Sequence, residues 1–178
     1  MNKLSRWAPA LLTLTAVFSQ TSLSADVPPT SGPCASGPFR QFDFWAGEWE
    51  VRDASGKLAG RNNVSIEELG CVVVERWRGA NGTTGQSLNY YDPGAKRWKQ
   101  RWAGLGIVLE MDGGMQGDSM VMEGPSQYIG QNRTTLLRGT WNKLPDGRVR
   151  QQFHESDDGG KTWKPWFDGY YTRVRAKD

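Results

Sequence analysis

Hydrophobic and polar residues alternate along most of the chain after residue 38, and turn-forming residues interrupt the alternation every 10–14 positions. The runs between these turns are short and rich in Val, Trp, Tyr and Thr. A two-residue period bounded by Gly, Pro, Asn and Asp is typical of β-strands. The pattern predicts about ten strands, near residues 45–52, 58–68, 71–78, 84–91, 97–103, 106–112, 118–124, 132–142, 147–156 and 165–175.

Glycine-rich segments set the ends of these predicted strands. Residues 112–114 (Asp-Gly-Gly) and 124–125 (Gly-Pro) are interpreted as turns that end the sixth and seventh strands. No segment keeps a helical period over 11 residues. Residues 38–45 are the one place where a short helical turn is expected, before the first strand.

The fold predicted from this order is all-β. Ten sequential strands joined by tight turns most simply form a single antiparallel up-and-down barrel, and closure of the barrel removes exposed sheet edges. A β-sandwich is the alternative architecture. A barrel of this strand number is either filled by its own side chains or holds one small ligand, and the sequence leaves both open.

The beginning of the chain predicts a cleaved secretory signal peptide. Lys3 and Arg6 give a positive start, residues 7–18 are mostly apolar, and small residues precede a cleavage site after Ala25. About 12 apolar residues are too few to span a bilayer as an anchor. The mature protein is therefore expected to be periplasmic or secreted, with no membrane span. The predicted divisions are a signal peptide at 1–25, an N-terminal linker at 26–38 and a β-barrel domain at 39–178.

Composition and charge narrow the function classes. The 178 residues are 37% hydrophobic, with 9 Trp and 22 Gly, which is compatible with one globular domain. Loss of residues 1–25 removes two basic side chains and no acidic one, so the formal net charge falls from +3 to +1. No Lys/Arg cluster stands out, so no nucleic-acid partner is expected. The single histidine, His154, is predicted to face solvent, and no metal or other cofactor is expected. The sequence does not indicate an oligomeric state.

Two cysteines, Cys34 and Cys71, are present. Export would place them in an oxidising compartment, where a disulfide between them is expected. Two buried free thiols are the alternative. A catalytic thiol is disfavoured because the chain contains only one histidine that could activate it.

An early Gly-x-Trp motif, Gly47 and Trp49, opens the first predicted strand, and the last predicted strand contains Tyr171-Thr-Arg173. These residues resemble the calycin superfamily, which comprises the lipocalins and their relatives. The resemblance implies that Trp49 closes the barrel floor beneath Arg173. A guanidinium group lying over an indole ring is a favourable contact. Gly47 is expected where the chain turns sharply into the strand.

Several further motifs follow in order between residues 40 and 175: Phe-Asp-Phe-Trp-x-Gly-x-Trp, Gly-Cys-x-x-x-Glu-x-Trp, Gly-x-Ser-Leu-Asn-Tyr-Tyr-Asp, Trp-x-Gln-x-Trp, Ser-x-Asp-x-Gly-x-Thr-Trp and Tyr-x-Arg. As a set they resemble an uncharacterised family of exported bacterial lipocalin-like proteins. The resemblance implies a calycin-type barrel and no established reaction. Ala103-Gly104 stands where that family often has an Asp, so no role for that carboxylate is carried over.

Ser156, Asp158, Gly160 and Trp163 fit the Asp-box pattern Ser-x-Asp-x-Gly-x-Thr-Trp. Such boxes are frequent in sialidase-like propellers, but a propeller requires several copies at a fixed period, and this chain has one. We therefore interpret the motif as a structural hairpin turn in which the Asp carboxylate bonds turn amides.

Aromatic and amide side chains share faces of several predicted strands, as expected for a small-molecule pocket or for a filled core. The candidate ligand-binding residues are Glu75, Trp77, Gln100, Trp102, Glu155 and Tyr171. The leading interpretation is an exported, non-enzymatic barrel that binds a small amphiphilic or aromatic molecule. One alternative is a hydrolase that acts on a carbohydrate or other small substrate through Glu75 and Glu155. A purely structural envelope module is another.

Overall fold

A computed structural model describes residues 30–174, so the predicted signal peptide and the first residues of the predicted linker lie outside the described residues. The all-β prediction is confirmed. Two short 3-10 helices, Gly37–Arg40 and Asp43–Trp45, precede the first strand. The ten strands are β1 (Gly47–Asp53), β2 (Leu58–Glu67), β3 (Val72–Gly79), β4 (Thr84–Asp92), β5 (Arg97–Gly104), β6 (Ile107–Gln116), β7 (Ser119–Tyr128), β8 (Arg133–Lys143), β9 (Val149–Ser156) and β10 (Lys164–Arg173).

The strands form one closed antiparallel barrel with up-and-down connections, rather than a sandwich. Each strand pairs with its neighbours in sequence, and β1 closes the barrel by pairing with β10. In that closing pair Trp49 lies opposite Arg173, and Val51 lies opposite Tyr171. No helix in residues 30–174 has the length and apolar character needed to cross a membrane.

The alternation of strand direction gives the barrel two different ends. The turns β2–β3, β4–β5, β6–β7 and β8–β9 lie at one end, together with the segment that precedes β1; we call this end the floor. The turns β1–β2, β3–β4, β5–β6, β7–β8 and β9–β10 lie at the other end, which we call the mouth.

Aromatic side chains from the segment before β1 plug the floor. Phe42 and Trp45 are fully buried, and their rings stack with centroids 4.8 Å apart. Trp49, which is 1% exposed, donates a hydrogen bond from Nε1 to the Trp45 carbonyl oxygen at 2.9 Å. The Arg173 guanidinium carbon lies 4.4 Å from the centroid of the Trp49 ring, and its Nη2 donates to the Ala46 carbonyl oxygen at 2.8 Å. The floor is therefore closed by side chains from both ends of the described chain.

Gly47 begins β1 directly beneath this arginine. Its backbone φ is +141°, which residues other than glycine rarely adopt. A Cβ there would also collide with the Arg173 guanidinium group. The glycine therefore allows both the sharp entry into β1 and the close approach of Arg173.

The disulfide prediction is confirmed. Cys34 and Cys71 are bonded across a sequence separation of 37 residues. Cys71 follows the 3-10 helix Glu68–Gly70 in the β2–β3 turn, so the bond ties the segment before β1 to the floor. Arg40 adds a second tie, because its guanidinium donates to the Gly70 carbonyl oxygen.

The predictions of turns at residues 112–114 and 124–125 are wrong. Gly113 and Gly114 continue β6, and Gly124 lies inside β7, so both strands run about four residues further than expected. The β6–β7 ladder keeps one register but leaves Glu110 and Met111 unpaired, and a Cβ on Gly113 or Gly124 would collide with the backbone of the neighbouring strand. Glycine is therefore needed here for a close approach between backbones rather than for a turn.

The Asp-box forms the β9–β10 turn at the mouth. The Asp158 carboxylate accepts hydrogen bonds from the amides of Lys161 and Thr162, and its pKa is lowered to about 2, chiefly by the Thr162 hydroxyl. Ser156 Oγ accepts a bond from the Gly160 amide, and Trp163 Nε1 donates to the Gly160 carbonyl oxygen at 3.0 Å. These bonds are internal to the turn, which is what a structural role requires.

Candidate functional site

A cavity of about 550 Å³ opens at the mouth and extends into the barrel. Its walls carry the aromatic rings of Trp77, Trp102, Phe153 and Phe167. Its inner end is polar and is formed by Glu75, Gln100, Gln151 and Tyr171. The barrel is therefore hollow on the side of the mouth and plugged on the side of the floor.

Glycines in the strands explain why the large wall residues leave the cavity open. A Cβ on Gly60 would come within 2.7 Å of the Trp77 ring, and a Cβ on Gly85 would collide with the Trp102 ring. The same relation holds between Gly169 and Phe167, at 2.5 Å. Each ring thus lies against the backbone of a glycine instead of projecting into the lumen.

Substitution of Gly85 by alanine is expected to lower the free energy of unfolding by about 1–3 kcal/mol, because the new methyl group displaces the Trp102 ring. The matched control is Gly114→Ala in β6, where an added Cβ meets no atom within 4 Å. The control is expected to stabilise the barrel by about 0.4–1 kcal/mol through a less flexible unfolded chain. Urea unfolding of both variants measures the difference, and equal effects would contradict the role assigned to Gly85.

The inner end of the cavity is organised by a network of buried hydrogen bonds that ends on Glu75. Gln100 Nε2 donates to Asn89 Oδ1 at 2.7 Å, and Asn89 Nδ2 donates to Ser87 Oγ at 2.9 Å. Ser87 Oγ in turn donates to Glu75 Oε2 at 2.8 Å. Asn62 Nδ2 donates to the other carboxylate oxygen, Oε1, at 2.9 Å. Neutral groups from three neighbouring strands therefore hold this carboxylate in one orientation.

The electrostatics of this end are dominated by burial. Glu75 is 5% exposed, and desolvation raises the pKa of its carboxyl group, although the hydrogen bonds from Ser87 and Asn62 oppose the rise. Burial, with a contribution from the nearby Glu75 charge, raises the pKa of Tyr171 well above its usual value. Tyr171 therefore keeps its hydroxyl proton, which it donates to Gln151 Oε1.

Five of the six candidate ligand-binding residues line this cavity: Glu75, Trp77, Gln100, Trp102 and Tyr171. Glu155, the sixth, does not line it. The Glu155 carboxylate accepts hydrogen bonds from Tyr128, Arg133 and Thr135 near the β7–β8 side of the mouth. Burial raises the pKa of Glu155, but these three bonds outweigh that effect and bring it below its usual value.

The placement of Glu155 bears on the hydrolase alternative. A glycosidase needs two carboxyl groups that face one substrate, one of them able to deliver a proton. Glu75 and Glu155 do not face a common cavity, and Glu155 is held ionised by an ion pair with Arg133 at 2.9 Å. Glu75 and Glu155 therefore do not form the pair of carboxyl groups that this chemistry requires.

Sequence reasoning missed two parts of the site. The first is the set of polar partners of Glu75, namely Asn62, Ser87 and Asn89, all of which are buried. The phase of β4 is ambiguous in sequence because its tyrosines, asparagine and serine fit either face. The second is the set of glycines beneath the wall rings. In the sequence these glycines could have been recognised as glycines at inward-facing strand positions, opposite or beside a tryptophan.

No protein-family model matches the sequence, and no curated protein is significantly similar to it.

Proposed function

We propose that this protein is an exported, non-enzymatic, lipocalin-like barrel that binds one small amphiphilic or aromatic molecule. The observation that carries the proposal is the cavity at the mouth, which combines aromatic walls with a polar inner end. Small-molecule sites are generally concave and mostly apolar, with a few polar groups that fix the orientation of the ligand. The volume of about 550 Å³ lies within the usual range for such sites.

The organisation of the polar groups supports binding over a purely structural interior. A barrel that served structure alone would gain stability by filling its lumen with apolar side chains. Here a buried carboxylate and several amides surround open space, and the glycines beneath Trp77 and Trp102 keep the rings against the wall. These features lower the stability of the folded barrel, and ligand binding would explain why they are present.

Export and the calycin relationship rest on separate observations. The Cys34–Cys71 disulfide is of the kind that persists in oxidising compartments, which supports the predicted signal peptide. The stacking of Arg173 on Trp49 at 4.4 Å, next to Gly47, is the arrangement that the calycin resemblance implies. Both features support assignment to an exported lipocalin-like family.

The proposal is tested with a neutral fluorescent probe, N-phenyl-1-naphthylamine, and with native mass spectrometry of protein purified from its own source. We expect saturable binding of one probe molecule per chain, and added mass on the natively purified protein. Because Gly85→Ala pushes Trp102 into the lumen, it is expected to weaken probe binding by about tenfold, or 1.4 kcal/mol, whereas Gly114→Ala leaves binding unchanged. An unliganded mass together with no saturable probe binding would refute the proposal.

A further inference from the structure

The cavity contains an acidic group for which the barrel supplies no positive partner. Among residues 30–174, Glu75 is the one acidic or basic residue that is buried. The other charged residues that line the cavity are Asp53 and Lys57, which belong to the β1–β2 turn at the mouth. The Asp53 carboxylate is occupied by the backbone amides of that turn. The inner end of the cavity therefore carries a single acidic group and no cation.

The hydrogen bonds around Glu75 all point toward it. Donors run from Gln100 through Asn89 and Ser87 to one carboxylate oxygen, and Asn62 donates to the other. A carboxylate has about four acceptor positions, so two remain beyond these two bonds. A chain of donors that ends on a carboxylate stabilises its ionised form and leaves it as an acceptor toward the cavity.

A second acceptor beside Glu75 also lacks a donor. Asn62 is 2% exposed, and its Oδ1 atom has no hydrogen-bond partner in the described part of the chain. The amide cannot simply be reversed, because its oxygen would then face the Glu75 carboxylate in place of the nitrogen that now lies 2.9 Å from it. A buried acceptor without a donor carries a free-energy cost, but Asn62 does not line the cavity, so the contact with a ligand is assigned to Glu75, which does.

The walls suit the remainder of such a ligand. Trp77 and Trp102 lie over glycines and line the lumen. The face of an indole ring attracts a cation and also packs against an aromatic or aliphatic body. An ammonium group, with three donors and no acceptor, is complementary to a site that offers a carboxylate with free acceptor positions.

We propose, on the basis of the binding function above, that the ligand is an organic cation: an aromatic or amphiphilic molecule with a protonated amine that pairs with Glu75. The apolar body lies between the indole rings of Trp77 and Trp102. The counter-charge that the barrel lacks is supplied by the ligand, so a bound amine offsets the desolvation that otherwise disfavours the Glu75 carboxylate. Neutral molecules of the same shape obtain the wall contacts and none of this electrostatic gain.

The test compares three probes of nearly equal shape by isothermal titration calorimetry at pH 7: 2-(1-naphthyl)ethylamine, 2-(1-naphthyl)ethanol and 1-naphthaleneacetate. We expect the amine to bind about tenfold or more tighter than the alcohol, and the carboxylate to bind about tenfold or more weaker than the alcohol, because opposite charges attract and like charges repel in a desolvated site. This comparison uses the unaltered protein, so it does not depend on whether a variant folds.

Two variants localise the effect. Glu75→Gln is expected to bring the amine to within about threefold of the alcohol, since it removes the charge and keeps the shape. Glu110→Gln is the matched control, because Glu110 is an exposed residue on the outside of β6 and pairs with Arg101 at 3.4 Å. It removes the same charge from the protein and leaves the preference for the amine unchanged.

The outcomes separate this inference from the proposed function. Equal binding of amine and alcohol, or a preference for the amine that survives in Glu75→Gln, overturns the cationic ligand and leaves cavity binding standing. If 2-(1-naphthyl)ethylamine does not bind to protein that still binds the neutral probe N-phenyl-1-naphthylamine, the cationic ligand alone is likewise overturned. Failure of the neutral probe and of native mass spectrometry refutes the binding function itself.

Discussion

Replacement of Trp49 by alanine is expected to lower the free energy of unfolding by about 3–5 kcal/mol, the usual effect of removing a large aromatic side chain from a core. Trp49 is 1% exposed, packs edge-on against Tyr171 at 6.2 Å and lies beneath the Arg173 guanidinium. Its Nε1 also satisfies the Trp45 carbonyl oxygen. The substitution therefore opens a cavity in the floor and leaves a buried acceptor without its donor. Chemical denaturation measures the loss.

The control for Trp49→Ala is the same deletion at Trp166, which is 39% exposed at the mouth. Trp166→Ala is expected to cost less than about 1 kcal/mol, because solvent already reaches much of the ring. A similar loss at the two positions would contradict the assignment of Trp49 to the floor.

The contact between Arg173 and Trp49 is tested by a double-mutant cycle. Arg173→Ala alone is expected to cost about 1–2 kcal/mol, through the lost stacking and the lost bond to the Ala46 carbonyl oxygen. Because the two side chains touch, the double variant should cost less than the sum of the single effects. Strictly additive effects would show that the contact carries no coupling energy.

Removal of the disulfide is expected to lower the free energy of unfolding by about 2–4 kcal/mol. The bond closes 37 residues, for which the chain-entropy model gives roughly 4 kcal/mol. Cys34 is buried, and the bond holds the segment that carries Phe42 and Trp45 against the β2–β3 turn. We therefore expect the Cys34→Ser/Cys71→Ser variant to lose the floor plug before the rest of the barrel, which hydrogen exchange resolves strand by strand.

Reductant supplies the matched control for the disulfide prediction. Dithiothreitol should destabilise the unaltered protein by about the same amount as the double serine variant and should leave that variant unchanged. Equal stability of oxidised and reduced protein would show that the floor is held by its aromatic packing alone.

The two ends of the barrel differ in packing, because the floor is filled by side chains and the mouth is hollow. A hollow lumen and the buried carboxyl group of Glu75 both lower the stability of the folded state. The floor offsets these losses with packed rings from Phe42, Trp45 and Trp49 and with a covalent bond to the β2–β3 turn.

Much of the fold was predictable because its signals are local. Alternation of apolar and polar residues with a period of two predicts a strand. A hairpin turn is predicted by a few adjacent residues, as in the Asp-box at 156–163. Ten such strands with short connections leave few topologies. The disulfide was predictable as well, because two cysteines allow one pairing.

The glycines show where local reasoning failed. The segments around Gly113 and Gly124 contain the same residue types as a turn, yet both glycines lie inside strands. A neighbouring backbone passes close to each of them. The same holds for Gly60 and Gly85, whose importance depends on a tryptophan from the next strand. A sequence does not state which backbone will lie beside a given glycine.

The sequence by itself determined the strand pattern and the all-β class, because alternation and turns are local signals, and the cysteine pair, because two cysteines allow one pairing. It also predicted five of the residues that line the cavity. Only the tertiary structure decided that the barrel is hollow, that Glu75 lies in the cavity and that Glu155 pairs with Arg133 outside its lining. The physical reason is that these properties depend on contacts between strands. Burial, charge pairing and free volume are set by neighbours that are distant in sequence, such as Asn62, which reaches Glu75 from the adjacent strand.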